Sequence, residues 1–351
     1  MDLVRDVRSV PERHVTGAAQ KGKAMRLLQV NNVGTLLGGT GACGCSIRQA
    51  LPDWQHTVVF LSKVDDFTRQ QFGCDVRSES RITPQLIDEV KPDVVLFHNT
   101  AANRMPSHIP GEVLTVYYQH SAALACREAR RKCDLFLTVS QHLAKLAGID
   151  SDLVLYQPVP CPPNSTGTTR NTAAFGRICT PNGGKWEGQN EFYASLSSAV
   201  DALSLVRGPL PKLQADFVGA PDAFLPSARD VGRFIPASWE ARSLLREWSA
   251  MLYHHPTITE TYGRTVCEAQ RAGCIPIVDA RGGFVEQVEH GKTGFLCSSV
   301  NDFADALYRV MSGKHEINRQ RMAESAAARG SLSVWRRNFL RWVEAAASVK
   351  A

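Results

Sequence analysis

The sequence contains no run of residues long and apolar enough to cross a membrane as a helix, which needs about 20 apolar residues. Residues 1–24 are rich in charge and lack the apolar core of a secretory signal. These absences argue against an integral membrane or secreted protein. We therefore expect a cytoplasmic protein whose residues 1–24 form a flexible tail.

None of the ten cysteines forms a C-x-x-C pair, which argues against the common zinc and thioredoxin-like motifs. Several lie in apolar runs such as "VCEAQRAGCIPIV" (266–278), so we expect buried free thiols. The sequence also lacks a zinc finger and an RNA-binding motif, and a net charge of +6 is too small to indicate nucleic acid. The mild positive excess favours an anionic ligand, and no nucleic-acid partner is expected.

With 44% hydrophobic and 21% charged residues over 351 positions, the chain has the balance and length of a globular protein with two domains. Short apolar runs alternate with helical patterns on both sides of "YQPVPCPPNSTGTT" (156–169), a segment typical of a linker. The alternation predicts parallel sheets covered by helices on both faces. The expected strands lie within 25–32, 56–62, 93–99, 113–120, 134–140, 171–178, 213–220, 250–256, 274–280 and 293–297.

The predicted fold class is therefore α/β, with two doubly wound domains facing a central cleft. We place the first domain at 25–160, a linker at 161–170, the second domain at 171–328 and a C-terminal helix at 329–351. Ligands of open parallel sheets bind at the carboxyl ends of the strands. The cleft between the two sheets is the expected site.

The stretch "GGTGACG" (38–44) places Gly39, Gly41 and Gly44 at the spacing G-x-G-x-x-G. That spacing marks dinucleotide-binding turns, so an NAD-linked oxidoreductase is one hypothesis. A dinucleotide turn follows its strand immediately, whereas "NVGTLL" intervenes here. The glycines alone therefore favour neither NAD nor another ligand.

The segment at 260–297, "ETYGRTVCEAQRAGCIPIVDARGGFVEQVEHGKTGFLC", carries a more specific pattern. It predicts a loop ending at Gly263, and then a helix whose free N–H groups favour a phosphate. Glu260 lies before this helix and Glu268 lies within it. Each alone is better explained as an exposed surface charge, on a loop for Glu260 and on a helix face for Glu268. Carboxylates, however, accept hydrogen bonds from sugar hydroxyls and repel phosphate. Together the features indicate a sugar nucleotide.

This segment resembles the donor-binding region of retaining GT-B glycosyltransferases of the family 4 type. That family has two glutamates eight positions apart around an aromatic-Gly pair, as Glu260 and Glu268 are around Tyr262 and Gly263. The resemblance implies a GT-B fold with an acceptor-side first domain and a donor-binding second domain. It implies hexosyl transfer with retention from a UDP- or GDP-linked sugar, assisted by the leaving phosphate, without metal or further cofactor.

The resemblance also implies roles for individual residues. Glu260 would bind the donor sugar, Glu268 the ribose, and the residues around the helix start the diphosphate. Those residues are Tyr262, Gly263, Arg264 and Thr265. Gly38, Gly39 and Gly41 would belong to the family's glycine-rich loop near the donor phosphates, with Gly44 in the following helix.

Two further segments carry the likeness. "FGRICTPNGGKWEGQ" (175–189) resembles the family's Gly-Arg followed by Lys-Gly, and implies that Arg177 and Lys185 hold the diphosphate. Their separation is wider than the family's, so a surface charge is the alternative for Lys185. "YYQHSA" (117–122) resembles a strand end whose histidine, here His120, faces the donor sugar. His98 lies at another strand end, and one of the two histidines fits a core position.

The remaining features leave the partners open. The acceptor is unidentified: a glycan, a lipid-linked sugar, a small molecule or a protein. "DSD" (150–152) matches a metal-binding Asp-x-Asp, but we interpret it as a solvated turn. A catalytically silent nucleotide-sugar binder is a third hypothesis beside the enzyme and the oxidoreductase.

The C-terminal helix has an apolar stripe with basic residues beside it. We interpret the stripe as a helix crossing back onto the first domain. The alternative is peripheral contact with the inner face of an anionic membrane. The stripe consists of Leu332, Trp335, Phe339 and Trp342.

Overall fold

The computed structural model describes residues 24–122, 126–164, 169–221 and 232–350. Almost all of the expected tail and part of the expected linker lie outside these residues. Within them, the chain forms two six-stranded parallel sheets, which confirms the predicted α/β class.

The two sheets have the same topology. Their strand orders are β3-β2-β1-β4-β5-β6 and β9-β8-β7-β10-β11-β12, the order of doubly wound nucleotide-binding folds. The first sheet comprises β1 (Arg26–Asn31), β2 (Gln55–Phe60), β3 (Asp75–Ser78), β4 (Val94–His98), β5 (Leu114–Gln119) and β6 (Leu135–Thr138). The second comprises β7 (Asn171–Ile178), β8 (Gln214–Val218), β9 (Gly232–Ile235), β10 (Trp248–Tyr253), β11 (Ile275–Asp279) and β12 (Phe295–Cys297).

Helices cover both faces of each sheet. They are α1 (Gly39–Ala50), α2 (Asp66–Phe72), α3 (Pro84–Val90), α4 (Cys126–Arg130), α5 (Gln141–Ala147), α6 (Gly183–Trp186), α7 (Gln189–Arg207), α8 (Arg264–Arg271), α9 (Val300–Met311), α10 (Arg319–Gly330) and α11 (Leu332–Lys350). Side-chain caps fix several starts. The Thr83 hydroxyl accepts from Leu86 N at α3, and the Ser140 hydroxyl accepts from Leu143 N at α5.

The central strands are apolar along their whole length because both faces are covered. In β4, Val94 and Leu96 pack into one core cluster, while Val95 and Phe97 pack into the cluster on the opposite face. This is the two-residue alternation of a strand. The order reverses between β1 and β4 and between β7 and β10, so a crevice opens at the carboxyl ends of these strands.

Two strands were not among the expected runs. β3 ("DVRS") and β9 ("GRFI") are four residues each, lie at sheet edges and contain exposed polar side chains. An edge strand needs no continuous apolar run, so its sequence gives little signal.

The last helix, α11, packs against α1, β5 and β6 of the first sheet. Trp335 is 1% exposed and its ring stacks on Phe339 at a centroid distance of 4.6 Å. Arg336 Nη2 bonds the Asp53 carboxylate at 2.9 Å. The helix thus lies on the first domain, while the residue bounds of the domains stay predictions. Among the described residues, no helix combines the length and apolar character needed to span a membrane.

Candidate active site between the two domains

A cavity lies between the two domains, where the carboxyl ends of β7 and β10 face the start of α1. The first domain contributes the segment around Gly38 and Gly39. The second domain contributes charged side chains: Lys185, Arg242, Glu260, Arg264 and Glu268. The cavity is therefore in the cleft that the sequence predicts.

The start of α8 forms one wall. Gly263 precedes the helix at φ 78°, and a Cβ there would lie 2.3 Å from Phe284 Cε1, so only glycine fits. Gly263, Arg264 and Thr265 line the cavity, and their contact with a diphosphate stays a prediction. The unpaired N–H groups and the dipole of the first turn favour an anion there.

Tyr262 lies elsewhere. Its ring is buried in a cluster with first-domain residues and stacks on Tyr156 at 6.0 Å. It is not among the residues that line the cavity. This apolar ring joins the two domains, and donor binding by Tyr262 stays a prediction.

Glu260 is at the centre of the polar part of the site. Its Oε1 accepts hydrogen bonds from the Lys185 ammonium and from the Tyr253 hydroxyl. Burial, and then the Glu260 charge, raise the pKa of Tyr253, which stays protonated and donates. Oε2 of Glu260 has no donor among the described residues. The fold thus brings together two residues 75 positions apart in the chain.

Arg177 does not reach the cavity, contrary to its predicted contact with the diphosphate. It is fully buried, with its Nη atoms donating to the carbonyls of Lys185 at 2.7 Å and His254 at 2.6 Å. Its guanidinium lies over the ring of Tyr253, 4.5 Å from the centroid. The strand directs this side chain into the core, while Ile178 lines the cavity. Arg177 therefore positions the segment that carries Lys185.

Glu268 lines the cavity but is already ion-paired. Its Oε1 lies 3.0 Å from Arg264 Nε and 3.7 Å from Arg242 Nη1. Arg264 also bonds Ser46 Oγ and the Pro158 carbonyl, both at 2.8 Å, and so links the domains. Ribose binding by Glu268 stays a prediction.

The sequence analysis missed several residues that line the cavity, among them Tyr253, Trp239 and Arg242. Trp239 and Arg242 both line the cavity, and the Arg242 guanidinium lies 3.3 Å from the centre of the Trp239 ring. The one available signal was an aromatic and a cation three positions apart in "SWEARS", which occurs in many surfaces.

The glycine-rich stretch forms a helix start. Gly38 is the N-cap of α1, whereas Gly39 and Gly41 lie inside the helix, so the expected loop was wrong for both. A Cβ on Gly41 would lie 2.1 Å from the Thr35 carbonyl oxygen, so this glycine lets the preceding loop pack on the helix. Gly38 and Gly39 line the cavity and Gly41 does not. Gly44 is buried in the helix, as expected.

The loop at 32–38 separates β1 from α1, so the glycines do not form a dinucleotide-binding turn. The oxidoreductase hypothesis therefore loses the geometry on which it depended.

His98 and His120 form one buried network. His98 Nε2 lies 3.3 Å from Gln29 Oε1, His98 Nδ1 lies 2.9 Å from His120 Nε2, and His120 Nδ1 lies 2.9 Å from Gln157 Nε2. With the amides in these orientations, each imidazole donates once and accepts once, so both are neutral. Both ring nitrogens of His120 are thus occupied, and the ring does not line the cavity. The ring is thus enclosed by the core network, and its contact with a donor sugar stays a prediction.

We expect the free energy of unfolding to fall as the pH is lowered from 7 to 5. Burial lowers the pKa of His98 to about 3. Burial, and then the neighbouring His98, also lower the pKa of His120. In the unfolded chain these histidines bind protons near pH 6.5, whereas in the folded protein they do so only at lower pH. The stability that they contribute is therefore fully present above pH 6.5 and is lost as the pH falls toward their pKa values in the folded protein. His98 alone accounts for about 2 kcal/mol between pH 7 and 5, and His120 adds to the loss in the same direction.

Urea unfolding at several pH values measures this slope. Burial also lowers the pKa values of His56, His255 and His315, and these residues add to the slope. The comparison is therefore between His98→Gln, which should flatten the slope, and a control substitution on the exposed surface, His108→Gln. Equal slopes in the two variants would contradict the inference that His98 and His120 are neutral in the folded protein.

The Asp-x-Asp stretch is far from this chemistry. Asp150 Oδ1 accepts from Asp152 N at 3.1 Å at the start of a 3₁₀ turn, and neither residue lines the cavity. The described residues contain no group of three side chains suited to a metal ion. Metal-independent action stays a prediction.

One family of known proteins matches the same segment. The family described as glycosyl transferases group 1 matches residues 228–329, which include Glu260, Glu268 and α8. A GDP-Man:Man(3)GlcNAc(2)-PP-Dol alpha-1,2-mannosyltransferase of Dictyostelium discoideum is 28% identical over 31% of this chain and 21% of its own length. A D-inositol 3-phosphate glycosyltransferase of a Nocardioides species is 32% identical over 30% of this chain and 23% of its own length. The chain thus matches about a fifth of the length of these relatives.

Similarity in structure extends over most of the chain. HepE of Anabaena, solved in complex with UDP and glucose, superposes with a TM-score of 0.67 over 91% of this chain and 99% of its own, at 18% identity. The fold is therefore GT-B, with two Rossmann-like doubly wound domains facing a central cleft, as the sequence predicts.

Proposed function

We propose that this protein is a glycosyltransferase that moves a sugar from a nucleotide-sugar donor to an acceptor. The observation that carries this proposal is the Lys185–Glu260 pair beside the start of α8, in the cleft between the domains. An ammonium and a helix N-terminus suit a diphosphate, and a carboxylate suits sugar hydroxyls. The match of this segment to glycosyl transferases group 1 supports the assignment.

The proposed donor is a UDP- or GDP-linked hexose, and the nucleotide sugar is the co-substrate in place of a cofactor. HepE, which shares the fold, was also solved with UDP-glucose. The mannosyltransferase relative has GDP-Man in its name. The acceptor remains a glycan, a lipid-linked sugar, a small molecule or a protein.

We further propose transfer with retention, in the manner of glycosyltransferase family 4, without a metal ion. The bond between the anomeric carbon and the phosphate oxygen breaks, and a bond to the acceptor oxygen forms on the same face. The acceptor proton passes to the leaving phosphate. Lys185 and the N–H groups of α8 stabilise the charge that develops on this phosphate, while Glu260 holds the sugar.

A thermal-shift panel of UDP-, GDP- and ADP-sugars, with NAD as a comparison, tests the proposal. We expect sugars of one base to raise the melting temperature by mass action and NAD to leave it unchanged. The shift and the turnover should both persist in EDTA. Stabilisation by NAD alone would contradict the proposal, and binding without turnover would indicate a silent nucleotide-sugar binder.

A further inference from the structure

Glu260 belongs to a loop of the second domain that is bound to the first domain through its neighbour, Thr261. The Thr261 hydroxyl donates to the His120 carbonyl at 2.6 Å. The Thr261 carbonyl accepts from Ser140 Oγ at 2.5 Å. His120 and Ser140 follow β5 and β6, so both bonds cross the cleft at the carboxyl edge of the first sheet.

The second domain holds the same peptide from the other side. Gly283 N donates to the Glu260 carbonyl at 2.8 Å. A Cβ on Gly282 would lie 2.5 Å from that carbonyl oxygen, and a Cβ on Gly283 would lie 2.3 Å from the Thr261 oxygen. The backbone that carries the Glu260 carboxylate is thus fixed by both domains at once.

The His120 carbonyl, which accepts the hydrogen bond from Thr261, belongs to a residue that is itself held by several contacts. His120 N donates to Asn99 Oδ1 at 2.8 Å, and the His120 ring is fixed by His98 and Gln157. The buried histidine pair therefore holds the carbonyl to which Thr261 bonds. The histidine network therefore supports the site indirectly, through the His120 carbonyl, although neither ring lines the cavity.

We propose that Thr261 is a positioning residue that couples the placement of Glu260 to contact between the domains. The inference rests on the proposed function. The hydroxyl of Thr261 orients the loop so that Glu260 meets Lys185 and the donor sugar. In the proposed function the nucleoside diphosphate binds at Lys185 and the start of α8. The Thr261 hydroxyl bonds the His120 carbonyl and neither of these groups, so we expect the affinity for the diphosphate to depend little on it.

The test compares Thr261→Val, Thr261→Ser and Thr257→Val. Thr257 lies on the same loop, is exposed and makes no side-chain hydrogen bond with a described residue, so it is the matched control. The readouts are kcat for turnover of the preferred nucleotide sugar with water as acceptor, and Kd of the matching free diphosphate by calorimetry. The wild-type panel of UDP-, GDP- and ADP-sugars selects the donor.

We expect Thr261→Val to lower kcat by about tenfold and to leave Kd within about twofold. Thr261→Ser should restore most of kcat, and Thr257→Val should match the wild type. Ser140→Ala removes the second bond by another route, together with the cap of α5. It should lower kcat at unchanged Kd even where Thr261→Val melts early, and its melting temperature measures the cost of the lost cap.

Wild-type kcat in both Thr261→Val and Ser140→Ala would overturn the proposal while leaving the glycosyltransferase assignment intact. An equal loss of kcat and diphosphate affinity would also overturn it, because that result indicates a general loss of structure. Failure of the wild type to turn over any nucleotide sugar would instead remove the proposed function itself.

Discussion

Replacing Glu260 with glutamine should lower nucleotide-sugar turnover by about 10- to 150-fold, the loss of one charge-assisted hydrogen bond in the transition state. Glutamine keeps the size of the side chain but removes the charge that pairs with Lys185 and accepts from the sugar hydroxyls. The fold should persist, because the Glu260 side chain is 21% exposed in the cleft. Steady-state kinetics of the variant test the loss of turnover, and its melting temperature tests whether the fold persists.

Glu289→Gln is the matched control. Glu289 also bonds a lysine, Lys292, but on an exposed surface with 61% of its side chain accessible. An exposed pair contributes little, so this variant should keep the wild-type rate. Near-wild-type turnover in Glu260→Gln would exclude Glu260 from the active site.

Trp335→Ala should lower the free energy of unfolding by about 3–5 kcal/mol, the usual range for a large aromatic side chain removed from a core. Trp335 is buried between α11 and the first domain, with Phe339 stacked on its ring. Denaturant unfolding followed by circular dichroism measures the loss. The result distinguishes a helix that serves the fold from one that serves a membrane.

The matched control for the membrane alternative is the double variant Arg337→Ala with Arg341→Ala. Both arginines are exposed on α11. If the helix packs on the first domain, the double variant keeps its stability, and neither the wild type nor the double variant binds anionic liposomes. Unchanged melting of Trp335→Ala together with lost liposome binding would show that the helix serves a membrane.

The doubly wound α/β fold could be predicted because its central strands are buried on both faces, whereas GT-B was implied by the family resemblance of residues 260–297. Such strands need continuous apolar runs, which "DVVLFHN" and "CIPIVDA" provide. The edge strands β3 and β9 could not be found in this way, since half-exposed strands need only a few apolar positions. The start of α1 was placed too late because glycine usually indicates a loop, whereas Gly41 here relieves a backbone contact inside a helix.

The candidate site could be predicted in its chemistry and only in part in its geometry. Glu260 and Lys185 both line the cleft that the motifs indicate, because each lies in a segment that follows the carboxyl end of a strand. For Arg177 and His120, a motif gives the position in the chain but not the direction of the side chain. Arg177 turns into the core, and the His120 ring is enclosed by partners distant in sequence.

The account's central claim is that the interdomain cavity turns over a nucleotide sugar, and the release of nucleoside diphosphate tests it most directly. Purified protein is incubated separately with UDP-, GDP- and ADP-linked hexoses, and the free diphosphate is quantified over time against the Glu260→Gln variant. The account predicts release from the sugars of one base, unaffected by EDTA and reduced about 10- to 150-fold in the variant. Absence of release from every donor, or equal release by the wild type and Glu260→Gln, would contradict it.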